Sequence, residues 1–452
     1  MVEHMPYHGT TNPKITVAQW DSLLSKLETS ASFIVRKNGA YYEALKGGTS
    51  SNALNVIYGG SGNNGATDGS NAADVINTTI TAVNEGDAIF LKNGLYNVGA
   101  TGITATSKRF SLIGENPQMK SDGSYGATLY STEDVTFLTL DSCTDTILQN
   151  ISIMGDNRTH DQNGIFCTTS DQRIKFYDVL VGYCLGYGLK TTGNFWDCAA
   201  VNLWVHKCGD AVNNYESMYF DASAADFHCY NLRNNFWRHE GMYNAGNDMY
   251  FTNCQFHGDP DEAKLPNITL NTGGQNHFHG CMFNWAEPHL EINCAGNKII
   301  GNHFQNNDTC AIDINTGHLN KILGNTVRDV GGMTLDGDYN IVCHNEFEAG
   351  GTVTVTGTGN IVKDNTGEWV SENQGTGAIL SGNTNVYVTH GLSAVPALQD
   401  VTIVGGENPT NDVGTIWADD FTATGNTQFR VNCENDPGAS NFTFGWRAKC
   451  RP

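Results

Sequence analysis

Charge is scarce in this chain, and positive charge scarcest of all. Only 16% of the 452 residues are charged, with 25 Lys and Arg against 47 Asp and Glu, a formal net charge of −22. No basic stripe offsets phosphate repulsion, which excludes DNA and RNA as partners and disfavours adhesion to anionic membranes. Proline is sparse at 10 residues while glycine reaches 51, a balance that suits a turn-rich all-β protein and argues against disorder. No run of about 18 apolar residues occurs, so no membrane span is expected. Met1 to Lys14 holds no apolar stretch, so no signal peptide is visible. The 13 cysteines include no Cys-x-x-Cys pair, against a zinc or redox centre. Gly-Gly-Ser-Gly-Asn-Asn-Gly at 59–65 lacks the Lys-Ser/Thr of a phosphate loop, and no Gly-x-Ser-x-Gly elbow is present.

What the chain does have is a repeat. It is clearest in Asn297-Lys-Ile-Ile-Gly-Asn302, Lys321-Ile-Leu-Gly-Asn325, Asn340-Ile-Val-Cys-His-Asn345 and Asn360-Ile-Val-Lys-Asp-Asn365. Looser copies run upstream through Ile151, Val179, Leu203, Phe227, Cys254 and Cys281, preceded by Asn150, Asp178, Asn202, Asp226 and Asn253 in the first five. Each unit is too short to bury a face alone, and stacking the units buries a continuous core. A column of Asn fits such stacking, because each side-chain amide can bond the one on the next rung. Cysteines such as Cys198, Cys254 and Cys281 fall where other copies carry Val, Ile or Phe, and read as small core residues. Cys433 and Cys450 lie outside the array and form the expected disulfide.

Helical spacing of Trp20, Leu23, Leu24 and Leu27 predicts a helix over 15–30, and a second begins near Asp68–Ile76. Glu85-Gly86-Asp-Ala-Ile-Phe-Leu91, Gly94-Leu-Tyr96 and Leu112-Ile-Gly114-Glu115 resemble the entry segment of pectate-lyase-like β-helices. The resemblance is close over 65–120 and continues by repeat form over 140–370. It implies a right-handed parallel β-helix, with an N-terminal helical cap over its open end. Hairpin-like strands after Gly382 predict a C-terminal β-sandwich, resembling carbohydrate-binding or trimerising modules. The expected domains are 1–100, 101–382 and 383–452. The family implies an extracellular location, secreted or on a phage particle, as a monomer or homotrimer.

Strand alternation predicts one outward column of Lys190, Asn213, Arg238, Glu291 and Asp313. Beside it stands Trp285-Ala-Glu287-Pro288-His289, which resembles the Asp-Pro-His motif of mannuronan C5-epimerases and related alginate-acting enzymes. Glu replaces the Asp, and Asn284-Trp285 stands where the family carries Tyr. The resemblance implies a polysaccharide substrate and an enzyme. A lyase cutting a uronic-acid polymer by β-elimination is the leading expectation, with His289 as base. Arg238, or Ca²⁺ held by Glu287 and Asp313, would neutralise the uronate. His239, Glu240, Trp285, Lys190 and Asn213 are expected to bind substrate. The alternatives are a C5-epimerase, a glycoside hydrolase or phage tailspike depolymerase with paired carboxylates such as Glu291 and Asp313, and a non-catalytic carbohydrate-binding or tail-fibre protein.

Overall fold

A computed structural model describes residues 33–47, 54–116, 126–261, 265–306, 310–328, 332–348, 353–366, 372–406, 409–422 and 427–450. The helix expected over 15–30 lies outside the described residues. Three short parallel strands make each turn of a solenoid. One turn is Ile268–Leu270, His277–His279 and Met282–Asn284, and the next is Leu290–Ile292, Lys298–Ile300 and His303–Gln305. They stack in register, Ile268 on Leu290 on Ile312 along the first face and Phe283 on Phe304 on Val327 along the third. The third face is an 11-stranded sheet of its own. The first two faces merge because Leu189–Val201 runs round their corner, pairing with Met218–Phe220 at one end and Ala224–Tyr230 at the other.

Such short strands present few inward side chains per turn, so the rungs use large ones. Phe251 stacks on Phe278 at 5.0 Å, and Phe283 on Phe304 at 4.7 Å, both pairs nearly parallel. Each fully buried aromatic contributes roughly 2–3 kcal/mol of apolar burial. The array cysteines fill the same interior, nearly all of them buried and all unpaired.

The Asn columns form as the repeat requires. Asn302, Asn325, Asn345 and Asn365 join amide to amide at 3.0, 2.9 and 2.9 Å. A second ladder links Asn276, Asn297, Asn320 and Asn340 at 3.0, 2.8 and 3.0 Å. The upstream series needs one correction. Its fourth member is Asn231–Leu232, not Asp226–Phe227, because Asn231 bonds Asn202 at 2.6 Å and both take left-handed backbone angles.

Helix Ala72–Ala82 starts at Asn71, whose side chain accepts from Ala73 N, and buries Ala72, Ala73, Val75, Ile76, Thr79 and Ile80. Its Asn77 donates to Gly102 O at 3.0 Å and accepts from Thr104 N at 2.9 Å. Those groups belong to the first strand of the first face, so the helix satisfies backbone that an open solenoid end leaves exposed.

Antiparallel pairing takes over at Glu372–Ile379, ahead of the composition change at Gly382, and builds two three-stranded sheets around Phe429, Val431 and Phe444. The expected Cys433–Cys450 disulfide is absent: both cysteines are reduced and buried. Cys433 ends a strand of one sheet and Cys450 follows a strand of the other, and the Cys433 thiol instead donates to Asn435 O at 3.1 Å. Among the described residues no helix is long and apolar enough to cross a membrane.

Candidate active site on the first face

The outward column on the first face runs Phe166, Lys190, Tyr219, Tyr243, Thr269, Glu291, Asp313 and Thr334. Lys190, Glu291 and Asp313 therefore stand where alternation put them. Asn213 and Arg238 do not, and two tyrosines take their rungs. Residues 210–215 close into a turn, with Asp210 and Tyr215 exchanging backbone bonds of 2.9 Å and the Asp210 carboxylate accepting from the Asn213 amide at 2.7 Å. Val212, which imitates a strand start in the sequence, is 86% exposed. Arg238 is likewise an exposed turn residue, beside Trp237, which is buried.

Three residues before the two tyrosines stand Glu216 and Glu240, on adjacent rungs joined by Ser217 N to Glu240 O at 2.9 Å. Both are half-buried. Burial pushes the Glu240 carboxyl up to about 7, and the Glu216 charge adds to it; the Thr269 hydroxyl lies close enough to offset part without making a well-directed hydrogen bond. Burial also raises Glu216, opposed by its own backbone and then by Lys190. One oxygen of each carboxyl, Oε2, is buried with no hydrogen-bond partner. Two neighbouring acids with raised pKa values and an oxygen each left unpartnered are a mark of a functional site.

Aromatic rings frame the pair. Tyr219 and Tyr243 are parallel at 5.3 Å, and Asn271 donates to the Tyr243 hydroxyl. Lys190 Nζ lies 3.9 Å from the centre of the Tyr187 ring and 5.3 Å from that of Tyr219. Its burial lowers the ammonium pKa, with Glu216 opposing. Burial raises Tyr187 to about 12. Further along, Glu291 accepts from Asn293 at 3.0 Å and Asn315 at 3.3 Å. Asp313 is raised by burial first and by Glu291 next. His239 adjoins Glu240 and has its pKa lowered by burial, with a buried and unpartnered Nδ1.

His289 is the main correction to the expected site. It points into the solenoid, fully buried, with Nδ1 2.8 Å from the Asn267 amide and its ring packed towards Phe304 at 5.9 Å. The equivalent corner position of each rung is buried at Ser217, Gly241, Asn267, His289 and Ala311 alike, so the position belongs to the core. Glu287 and Trp285 remain on the turn before it, both half-buried. His289→Ala should therefore destabilise the fold by about 2–4 kcal/mol, through a cavity and an orphaned Asn267. Turnover per folded molecule should change only a few-fold. Urea unfolding alongside activity separates the two effects, and a large kcat loss at unchanged stability would contradict the assignment.

Among the described residues no three or more His, Cys, Asp or Glu side chains come together as a metal cage.

The sequence reading missed Glu216, Tyr187, Tyr219 and Tyr243. A local signal was present: Glu216-Ser-Met-Tyr219 returns as Glu240-Gly-Met-Tyr243, with Met218 directly under Met242.

No protein-family model and no curated protein matches the chain. Among solved structures it is similar to the enzymatically active domain of tailspike protein 2 of bacteriophage CBA120, at 11% identity and a TM-score of 0.47, over 87% of this chain and 72% of that one. It is also similar to the mannuronan C-5 epimerase A-module of Azotobacter vinelandii, at 11% identity and 0.38, over 64% and 94%. A third is the DFA-IIIase of Arthrobacter chlorophenolicus A6, at 12% identity and 0.42, over 65% and 93%.

Proposed function

We propose that the chain hydrolyses glycosidic bonds of a polysaccharide laid along the first face, with Glu240 as general acid and Glu216 as its partner carboxylate. The observation that carries this reading is the pair itself: two raised carboxyls on adjacent rungs, each with a buried and unpartnered oxygen. Glu240, which holds its proton to about pH 7, donates it to the departing glycosidic oxygen. Glu216, ionised, attacks the anomeric carbon, and the bond to the departing oxygen breaks. Water then opens the glycosyl ester and returns a proton to Glu240. Adjacent rungs lie about 4.8 Å apart, which fits the roughly 5 Å separation of a retaining pair. Tyr219 and Tyr243 offer ring surface for a sugar, whose C–H face packs on aromatics.

Elimination fits less well. His289, the expected base, is in the core, and four carboxyls along this face, from Glu216 to Asp313, oppose a uronate.

Activity needs Glu240 protonated and Glu216 ionised, so turnover should fall as pH rises through about 7 and fall again in acid as Glu216 takes up its proton. The test is a panel of neutral and acidic polysaccharides assayed for new reducing ends and for the ultraviolet absorbance of an unsaturated sugar. Reducing ends without that absorbance, lost in Glu216→Gln and Glu240→Gln, support hydrolysis. An absorbance rise on a polyuronate would restore the lyase, and no reaction with any glycan would favour a binding protein.

A further inference from the structure

The inward column of the third face is apolar from Ile153, Val181 and Val205 through Phe256, Phe283 and Phe304, with one exception. Between Val205 and Phe256 it holds Asn234, fully buried. A polar side chain in an apolar stack costs free energy unless its groups are bonded, and this one reaches across the interior. Its Oδ1 accepts from Ser217 Oγ at 2.7 Å, and its Nδ2 donates to Gly241 O at 2.6 Å. Ser217 follows Glu216 and Gly241 follows Glu240, so one amide ties the Ser217 hydroxyl to the Gly241 carbonyl behind the two acids. Gly241 itself has no room for a side chain, since a Cβ there would lie 2.4 Å from Asn267 O and 2.8 Å from the Trp237 ring.

We infer that Asn234 is a positioning residue that sets the separation of Glu216 and Glu240 from inside the solenoid. The inference rests on the reading of those two acids as the reacting pair. Without the amide, nothing on the third face fixes Ser217 against Gly241. The two rungs are then held there by backbone bonds alone, Ser217 N to Glu240 O at 2.9 Å and Met218 N to Gly241 O at 3.1 Å, so their separation can relax, and a shift of about 1 Å can cost 10² in rate.

Asn234→Val gives the site the residue type of its neighbours Val181 and Val205, and Asn234→Val/Ser217→Ala also removes the orphaned hydroxyl. Both variants should unfold in urea close to the wild type, the double variant closest. Both should lose about 10- to 100-fold in kcat with little change in KM. The upper limb of the pH profile should move down, because acids held further apart repel less. Wild-type kcat and pH profile in the folded double variant would overturn the inference, as would a kcat loss that only tracks the unfolded fraction. If the wild type cleaves no glycan, the hydrolase reading fails by itself. Carboxyl titration by NMR of isotope-labelled Glu then decides the positioning role. A lowered Glu240 titration in Asn234→Val supports it, and an unmoved one refutes it.

Discussion

Glu240→Gln should abolish most turnover and, above neutral pH, make the protein more stable than the wild type. Removing a general acid typically costs 10² to 10⁴ in rate. The stability gain follows from linkage. The folded carboxyl keeps its proton to about pH 7, against an ordinary value of 4.5. A raised folded pKa gives a contribution fully present below the unfolded value and lost as pH rises through the folded one. The wild type should therefore lose stability between about pH 4.5 and 7 through this residue, whereas Gln has no proton to lose. The difference at pH 8 is at most about 3.5 kcal/mol, because each tenfold change in proton affinity is worth roughly 1.4 kcal/mol. Urea midpoints at pH 4 and pH 8 read it directly: equal at the first, higher for the variant at the second. A variant less stable at pH 8 would mean that Glu240 is held by bonds favouring its ionised form, and the acid role would go with it. The trade of stability for a strained pair of acids is common at active sites.

The second large effect lies far from the chemistry. Asn325→Ala should cost about 3–5 kcal/mol, near the top of the range for single substitutions. The Asn325 side chain accepts from Asn302 N at 2.8 Å and donates to Ile299 O at 2.9 Å, besides its two amide links in the ladder. Truncation orphans several buried groups together, each worth about 1–3 kcal/mol and not additive. Asn231→Ala, which removes an exposed link to Asn202, should cost about 1 kcal/mol, mainly for placing Ala in a left-handed backbone position. Chemical denaturation of the two variants makes the comparison, and equal losses would show that the ladders contribute no more than turn geometry.

The ladder was legible in the sequence because it is periodic: Asn302, Asn325, Asn345 and Asn365 recur at nearly constant spacing, and only stacking gives such a column a purpose. The same regularity exposed the solenoid, the cysteines as core, and Lys190, Glu291 and Asp313 as one outward line. Alternation along a strand is a local property, set by backbone geometry alone.

Alternation carried no such information through the turns. Between Cys208 and Met218 the chain makes a closed turn that places Val212 in solvent and Tyr219 in the column, and no local pattern fixes how many residues a turn spends. At the solenoid corners alternation fails outright, since His289 and Leu290 are consecutive and both buried. A corner has an inside as well as a strand has a face, and only closure of the whole turn says which side chains fill it. The sequence by itself thus determined the stacked architecture and its ladders, through repetition. Only the tertiary structure decided that Glu216 and Glu240 stand on adjacent rungs, that His289 is core, and that Asn234 bonds the residues following both acids from the far wall, because those contacts depend on how unequal turns bring distant residues into one register.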